Sequence, residues 1–157
     1  MGNLFVVHEM ANLPHMIADS WGDAIGQLGA RMWEAGFTDS AYTGCVIERE
    51  RSFPTALQLD SVAVALPHGA SEHVWVPSIA VGTCERPVPF RSMVDPSKML
   101  DVRLVVLIAV NEPESQLEIL SSLSRSLTDP SFVQKVLAMD TGGEIAGAFR
   151  DALDLDR

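Results

Sequence analysis

Cysteine is scarce in this chain, and its scarcity argues against two classes of protein. Only Cys45 and Cys84 occur among 157 residues, and they stand far apart in the sequence. A small disulfide-stapled domain carries several cysteines, and a thiolate zinc site carries them in close C-x-x-C spacing. We therefore expect neither a disulfide framework nor a cysteine metal site, and two reduced thiols suit a cytoplasmic protein.

Basic residues and long apolar runs are also few. The chain has 11 Lys and Arg against 21 Asp and Glu, a formal net charge of −10. Nucleic acids and anionic membranes are recognised by clustered Lys and Arg, so neither is expected as a partner. The longest apolar run, LVVLIAV at 104–110, is far shorter than the roughly 20 residues of a membrane helix. No signal-peptide pattern is found, so we expect a soluble protein that is not inserted in a membrane.

The chain does contain enough apolar material for a globular core. Hydrophobic residues make up 47% of the composition and charged residues 20%, which is typical of a folded domain. A chain of 157 residues can bury a sizeable core, and no internal repeat or low-complexity segment divides it. We predict a single domain over residues 1–157, with its core at about 3–153.

Apolar periodicity predicts helices on both sides of a central group of strands. Ser20 and Asp23 resemble a capping box, and the helical pattern after them stops at Gly36. A second helix, capped by Thr38 or Asp39, follows. Three later helices are predicted from their start signals, which are Ser115 with Glu118, Asp129-Pro130, and a start near residue 143.

Five segments are predicted as strands, namely 3–10, 62–66, 77–83, 86–90 and 102–110. The continuous apolar character of 102–110 predicts a central strand that is covered on both faces. Prolines in RPVPF, at 86–90, cannot donate to a ladder and predict an edge strand. We interpret FPTALQL, at 53–59, as a loop. The order of elements predicts one α/β domain, a mixed β-sheet flanked by helices on both faces.

One of the four histidines follows a predicted buried strand, in the stretch VAVALPHGASEH. His68 lies between Pro67 and Gly69, just past the apolar run. Proline stiffens the backbone before it, and glycine leaves room beside it for a ligand or partner. An imidazole can carry a phosphoryl group on one nitrogen while a hydrogen bond holds the other. The same three residues also fit an ordinary turn histidine.

The charged stretch ERER, at 48–51, supplies a second candidate site. Arg49 and Arg51 are two positions apart and do not share a helix face, so one can turn inward while the other stays in solvent. An inward arginine near a nucleophilic histidine would clamp phosphoryl oxygens, because it is planar and always charged. Thr55 could add a hydroxyl group. The alternative is a solvated helix end with Glu–Arg pairs.

Together these segments carry a family resemblance. Arg49-Glu50, FPTAL at 53–57 and VALPHG at 64–69 resemble the enzyme IIA domain of the fructose–mannitol type in the bacterial phosphotransferase system. Three later stretches look most like the galactitol-type branch of that family: EHVWVPSIAVGTCERPVPFRSM, LDVRLVVLIAV and QLEILSSLSRSLTDP. The resemblance covers most of the chain.

The resemblance implies a phosphotransferase that needs no metal or cofactor. His68 would accept a phosphoryl group from the phosphocarrier protein HPr and pass it to a cysteine of enzyme IIB. A membrane enzyme IIC would then couple sugar uptake to phosphorylation. Arg49 would match the family arginine that neutralises the phosphoryl oxygens. Thr55 would match the threonine of the Pro-Thr-Gly-Leu motif, close enough to donate a hydrogen bond to the phosphoryl group.

The chain departs from the family pattern at two positions. Ala56 stands where the family usually has glycine. Gln116 stands where many members carry a second histidine; its amide can form hydrogen bonds but cannot bring a positive charge. His73, on the same loop as His68, could assist the transfer instead, or it is a surface loop residue.

Two other functions within the same family compete with transport, and one unrelated function is disfavoured. A regulatory phosphoprotein of the same family would keep Arg49 and His68 but would report phosphorylation state rather than feed a transporter. A degenerate family member would keep the fold without transferring phosphoryl groups. A nucleophilic hydrolase is disfavoured because no G-x-S-x-G elbow or Ser–His–acid set stands out.

Overall fold

The computed structural model describes residues 6–153, except for the side chains of Pro113, Ser115 and Gln116. Within these residues six strands form one sheet, in the order β1-β5-β6-β4-β3, with β2 also paired to β5. The strands are Val6–Val7 (β1), Leu13–Met16 (β2), Ala56–Gln58 (β3), Ala63–Ala65 (β4), Ser78–Arg91 (β5) and Met99–Ala109 (β6). The β3–β4 and β5–β6 pairs are antiparallel and the other pairs are parallel, so the predicted mixed sheet is confirmed.

Five α-helices cover the two faces of this sheet within the described part of the chain. They are Trp21–Glu34 (α1), Tyr42–Ser52 (α2), Pro113–Leu127 (α3), Pro130–Leu137 (α4) and Gly142–Ala152 (α5). Residues of α1 and α2 belong to one buried cluster, and residues of α3, α4 and α5 belong to the other. Short 3-10 turns occur at Glu9–Ala11 and Ser71–His73. The predicted helical layers on both faces are confirmed.

The central strand β6 supplies both cores. Val105 and Leu107 pack into the cluster under α1 and α2, whereas Val106 and Ile108 pack into the cluster under α3–α5. Successive side chains of a strand point to opposite faces, so a strand covered on both sides needs an apolar residue at every position. The prediction of a central strand at 102–110 is confirmed by its pairing with β5 on one side and β4 on the other.

Two strand predictions are wrong. Residues 53–59 are not all loop, because Ala56–Gln58 forms β3 against β4; three residues are too few to show a period. Segments 77–83 and 86–90 are not separate strands, because both belong to β5, whose pairing with β6 shifts register between Thr83 and Val88. The prolines fall at and after this irregularity, where the described strands pair only on the β6 side.

Two of the predicted element boundaries differ from those in the structure. Of the strand predicted at 3–10, Val6–Val7 is extended and residues 9–11 form a 3-10 turn; residues 3–5 lie outside the described part. The predicted Ser115 cap is wrong, because α3 begins at Pro113 with Glu112 as its N-cap, and proline is favoured at the first helical position. The Ser20 cap is confirmed, since its Oγ accepts a hydrogen bond from the Asp23 amide.

Candidate functional site

His68 lies just beyond β4, beside the last residues of the central strand. The Pro67 carbonyl accepts a hydrogen bond from the Ile108 amide at 2.9 Å, and His68 forms an isolated parallel bridge with Ile108. Leu66 and Pro67 are buried, whereas His68 is half-buried. The imidazole therefore stands at the carboxyl end of two parallel strands, where α/β folds commonly place their ligand sites.

The His68 ring is held by its own backbone. Its Nδ1 lies 3.0 Å from the Leu66 carbonyl oxygen. A carbonyl can only accept a hydrogen bond, so Nδ1 carries the proton and Nε2 carries the free lone pair. Burial lowers the pKa of His68 below its ordinary value; the Leu66 hydrogen bond opposes this effect, and the charge of Arg49 adds to it. The result is a neutral imidazole with one nucleophilic nitrogen.

Arg49 extends from the last turn of α2 and is exposed. Its Cζ lies 5.2 Å from the centroid of the Phe53 ring, a cation–π distance. Arg51 turns away, because its Nη1 pairs with the Glu48 carboxylate at 2.5 Å and its Cζ faces Trp21 at 5.9 Å. Both arginines are exposed, so neither is turned into the core as the sequence suggested, and they have different partners. The charge of Arg49 lowers the pKa of His68.

Thr55 is almost completely buried, at 4% exposure, and connects α2 to the His68 loop. Its hydroxyl donates to the Glu50 carboxylate at 3.0 Å and accepts from the Leu66 amide at 3.0 Å. Its amide donates to the other Glu50 oxygen at 2.9 Å. The suggested hydrogen bond from Thr55 to a phosphoryl oxygen stays a prediction, and it would require this hydroxyl to leave Glu50.

Two buried residues of α2 were missed in the sequence. Glu50 is 3% exposed, and burial raises the pKa of its carboxyl although Thr55 donates to both oxygens. The hydroxyl of Tyr42 accepts from the Gly69 amide at 3.0 Å and donates to the Ile108 carbonyl at 2.7 Å. Tyr42, Val46 and Arg49 recur at helical spacing, which was the available signal for a shared face.

Gly69 lets α2 pack closely against the His68 loop rather than leaving room for a ligand. A Cβ built on Gly69 would lie 3.0 Å from Val46 Cγ2 and 3.3 Å from Tyr42 Cε1. The sequence interpretation, that glycine leaves space for a ligand or partner, is therefore wrong for this face of the residue. The space that glycine leaves is filled by α2, which brings the helix that carries Arg49 against the His68 loop.

A comparison with protein families shows which family has this fold. Residues 8–151 match the family model described as "Phosphoenolpyruvate-dependent sugar phosphotransferase system, EIIA 2". The chain belongs to this enzyme IIA family. It is a phosphotransferase that acts as a phosphoryl carrier of a sugar phosphotransferase system, which confirms the resemblance read from the sequence.

Individual relatives agree with the family assignment. The chain is 26% identical over 117 residues to the galactitol-specific EIIA component of Escherichia coli strain K12, covering 74% of this chain and 77% of that protein. Mannitol enzyme IIA of Escherichia coli, solved in complex with phosphorylated enzyme IIB, superposes with a TM-score of 0.74 at 21% identity, covering 96% and 98%. Nitrogen regulatory protein IIA-Ntr of Neisseria meningitidis gives 0.73 at 21%, covering 92% and 95%.

Three other positions named from the sequence lie in separate elements of this enzyme IIA. The His73 Nδ1 is 2.7 Å from the Asp39 carboxylate, and this hydrogen bond raises the pKa of His73. His73 thus ties its loop to the segment before α2, and its role in transfer stays a prediction. Gln116 belongs to the first turns of α3, but its side chain is outside the described part. Ala56 lies in β3 without a positive φ, so glycine is not required there.

Within residues 6–153, no group of three or more His, Cys, Asp or Glu side chains is arranged to hold a metal ion. In the same residues, no helix has both the length and the apolar character needed to span a membrane.

Proposed function

We propose that Nε2 of His68 is the atom that carries the phosphoryl group. In the first step its lone pair attacks the phosphorus of a phosphohistidine on HPr. The new N–P bond forms as the old one breaks, and the electron pair returns to the HPr imidazole. In the second step a cysteine thiolate of enzyme IIB attacks the same phosphorus. An S–P bond forms, and the pair from the broken N–P bond returns to Nε2. His68 keeps its Nδ1 proton throughout.

The single observation that carries this proposal is the hydrogen bond from Nδ1 of His68 to the Leu66 carbonyl. This bond selects one tautomer before any partner arrives, so the nucleophilic nitrogen is defined and its direction is fixed. Burial keeps the ring neutral, as an attacking lone pair requires. Phosphoryl transfer needs mainly positioning and charge stabilisation, and a fixed imidazole beside an arginine supplies both.

Arg49 is proposed as the group that stabilises the phosphoryl oxygens. Within the described residues no carboxylate forms an ion pair with it, whereas Arg51 is paired with Glu48. Its positive charge lowers the pKa of His68, which means that its field reaches the imidazole. We expect this guanidinium to bind a phosphoryl group on Nε2, because a guanidinium can contact two oxygens at once.

Transport rather than regulation is the proposed use of the carrier. The galactitol-specific relatives belong to a sugar system, and this favours a path through enzyme IIB to a membrane enzyme IIC. The fold alone does not distinguish the two uses, because mannitol enzyme IIA and IIA-Ntr both share it. We place the protein in the cytoplasm, where a phosphoenolpyruvate-dependent system finds its phosphoryl donor.

The test is phosphorylation from labelled phosphoenolpyruvate in the presence of enzyme I and HPr. We expect one acid-labile phosphate on the wild type and none on His68→Ala. The matched control is His73→Ala, which removes a histidine of the same loop and should retain label. An unlabelled wild type with a competent HPr, or a labelled His68→Ala, would contradict the proposal. Transfer of the label to a cysteine of purified enzyme IIB tests the second step.

A further inference from the structure

We propose that Tyr42 is a positioning residue for phosphoryl transfer, because its hydroxyl group fixes the His68 backbone against both the sheet and the helix that carries Arg49. The inference rests on the proposed function of His68. It adds a residue that neither the family description nor the relatives' names assign, and it concerns the only tyrosine in the sequence.

The Tyr42 hydroxyl group lies between the His68 loop and β6 and forms a hydrogen bond to each of them. On one side of His68, the Pro67 carbonyl accepts directly from the Ile108 amide at 2.9 Å. On the other side, the Gly69 amide donates to the Tyr42 hydroxyl at 3.0 Å, and this hydroxyl donates to the Ile108 carbonyl at 2.7 Å. A parallel pair would normally use a direct bond from Gly69 to Ile108. Here the Tyr42 hydroxyl group connects Gly69 to Ile108 through two hydrogen bonds.

The same residue links this loop to the helix of Arg49. Tyr42 is the first residue of α2, and Val46 and Arg49 follow on the same face at spacings of four and three. Val46 lies against Gly69, and the charge of Arg49 lowers the pKa of His68. The Tyr42 side chain is only 1% exposed, so the hydroxyl is a buried junction of helix, loop and strand. Its loss should change where His68 stands relative to Arg49.

The principal test is Tyr42→Phe, which removes one oxygen and keeps the ring. We expect the pKa of His68, followed by NMR of the unphosphorylated protein, to rise toward 6.5, the ordinary value. We also expect the Nδ1-protonated tautomer to lose its dominance in ¹⁵N spectra. Single-turnover transfer from phospho-HPr should slow about tenfold, since displacements near 1 Å can cost on the order of 100-fold. Both NMR quantities unchanged in Tyr42→Phe would overturn the proposal.

A double-mutant cycle separates positioning from general loss of stability. If Tyr42 acts by placing His68 against Arg49, the rate loss from Tyr42→Phe should be much smaller in an Arg49→Lys background. The matched control is Thr83→Val, which removes another buried hydroxyl group. This hydroxyl is far from Tyr42 in the sequence and accepts a hydrogen bond from the His15 amide at 2.8 Å. It should leave the His68 tautomer and transfer rate unchanged. Fully additive rate losses would contradict positioning.

A measurement on the unsubstituted protein remains decisive if Tyr42→Phe does not fold. Because the chain has a single tyrosine, ¹³Cζ-labelled tyrosine gives one resonance. We expect that resonance to shift with the protonation of His68 between pH 8 and pH 5, through the Gly69 amide. A resonance that stays constant while His68 titrates would overturn the link. These NMR results do not depend on HPr, so failure of phosphorylation would count against the proposed function and not against the role of Tyr42.

Discussion

At the scale of single residues, the site is defined by how one imidazole is held. His68 donates through Nδ1 to a carbonyl two residues earlier, and burial favours its neutral form. The carbonyl itself belongs to Leu66, whose amide donates to Thr55. A short series of hydrogen bonds therefore runs from the buried Glu50 carboxylate to the His68 ring. Each link has a consequence that can be measured.

The lowered pKa of His68 predicts how phosphoryl acceptance depends on pH. The proposed attacking form is the neutral imidazole, so the midpoint of the single-turnover rate should lie below pH 6.5, the ordinary pKa of histidine. The unfolded chain binds this proton more readily than the native one, so His68 should cost stability as pH falls through 6.5. His68→Ala should remove that part of the pH dependence. A rate midpoint at or above 6.5 would contradict the neutral, buried ring.

Arg49→Lys should keep the fold and slow transfer about tenfold, because an ammonium offers one point charge where the guanidinium offers a planar fork. The measurement is the single-turnover rate from phospho-HPr at fixed pH. Arg51→Lys is the matched control, since Arg51 lies on the same helix but pairs with Glu48. Equal effects of the two substitutions would show that general charge, rather than the Arg49 position, matters.

Thr55 provides a test of the buried hydrogen-bond chain. Thr55→Val would leave the Leu66 amide and one Glu50 oxygen without hydrogen-bond partners. We expect each unpaired group to lower the free energy of unfolding by about 1–3 kcal/mol. Thr55→Ser keeps the hydroxyl and should lose only about 1 kcal/mol, for one methyl group. Urea denaturation of both variants measures the difference. Equal losses would argue that packing, and not the hydroxyl, stabilises this turn.

At the scale of elements, α2 and the His68 loop form one unit that depends on a close approach. Gly69→Ala would place a methyl group 3.0 Å from Val46 Cγ2 and 3.2 Å from the Val46 amide nitrogen. We expect a loss of about 1–3 kcal/mol in unfolding free energy, from overpacking, together with slower transfer. Stability and single-turnover assays measure the two effects.

The control for this substitution lies on the same helix. At Gly44 an added Cβ meets nothing within 4 Å, so Gly44→Ala should stabilise the protein by about 0.5–1 kcal/mol through helix propensity. Transfer should be unchanged. If Gly69→Ala were as harmless as Gly44→Ala, the close contact between α2 and the loop would have no energetic role.

The elements also show what the sequence could and could not predict. The strand at 102–110 and the Ser20 cap were predictable, because a long apolar run and a polar start signal are local. The short strand β3 was missed, since its three residues are specified by pairing with β4 and not by their own pattern. Gly69 was misread for a similar reason: its neighbours Val46 and Tyr42 come from another element. The motif around His68 could be recognised, but its tautomer depends on folded geometry.

At the scale of the whole molecule, the sheet forms the scaffold and the loop after β4 carries the candidate site. The sheet has a core on each face, and β6 contributes to both. His68 stands where the loop after β4 meets the end of that strand, so the central strand supports the imidazole that we propose to react. The same architecture occurs in mannitol enzyme IIA and in IIA-Ntr.

The central claim, that Nε2 of His68 carries the phosphoryl group, is tested most directly on the phosphorylated protein. ¹⁵N-labelled histidine and ³¹P NMR together report which ring nitrogen is bonded to phosphorus. We predict that the His68 Nε2 resonance shows the bond while Nδ1 remains protonated. A phosphorus bonded to Nδ1 of His68, or to another histidine, would contradict the account.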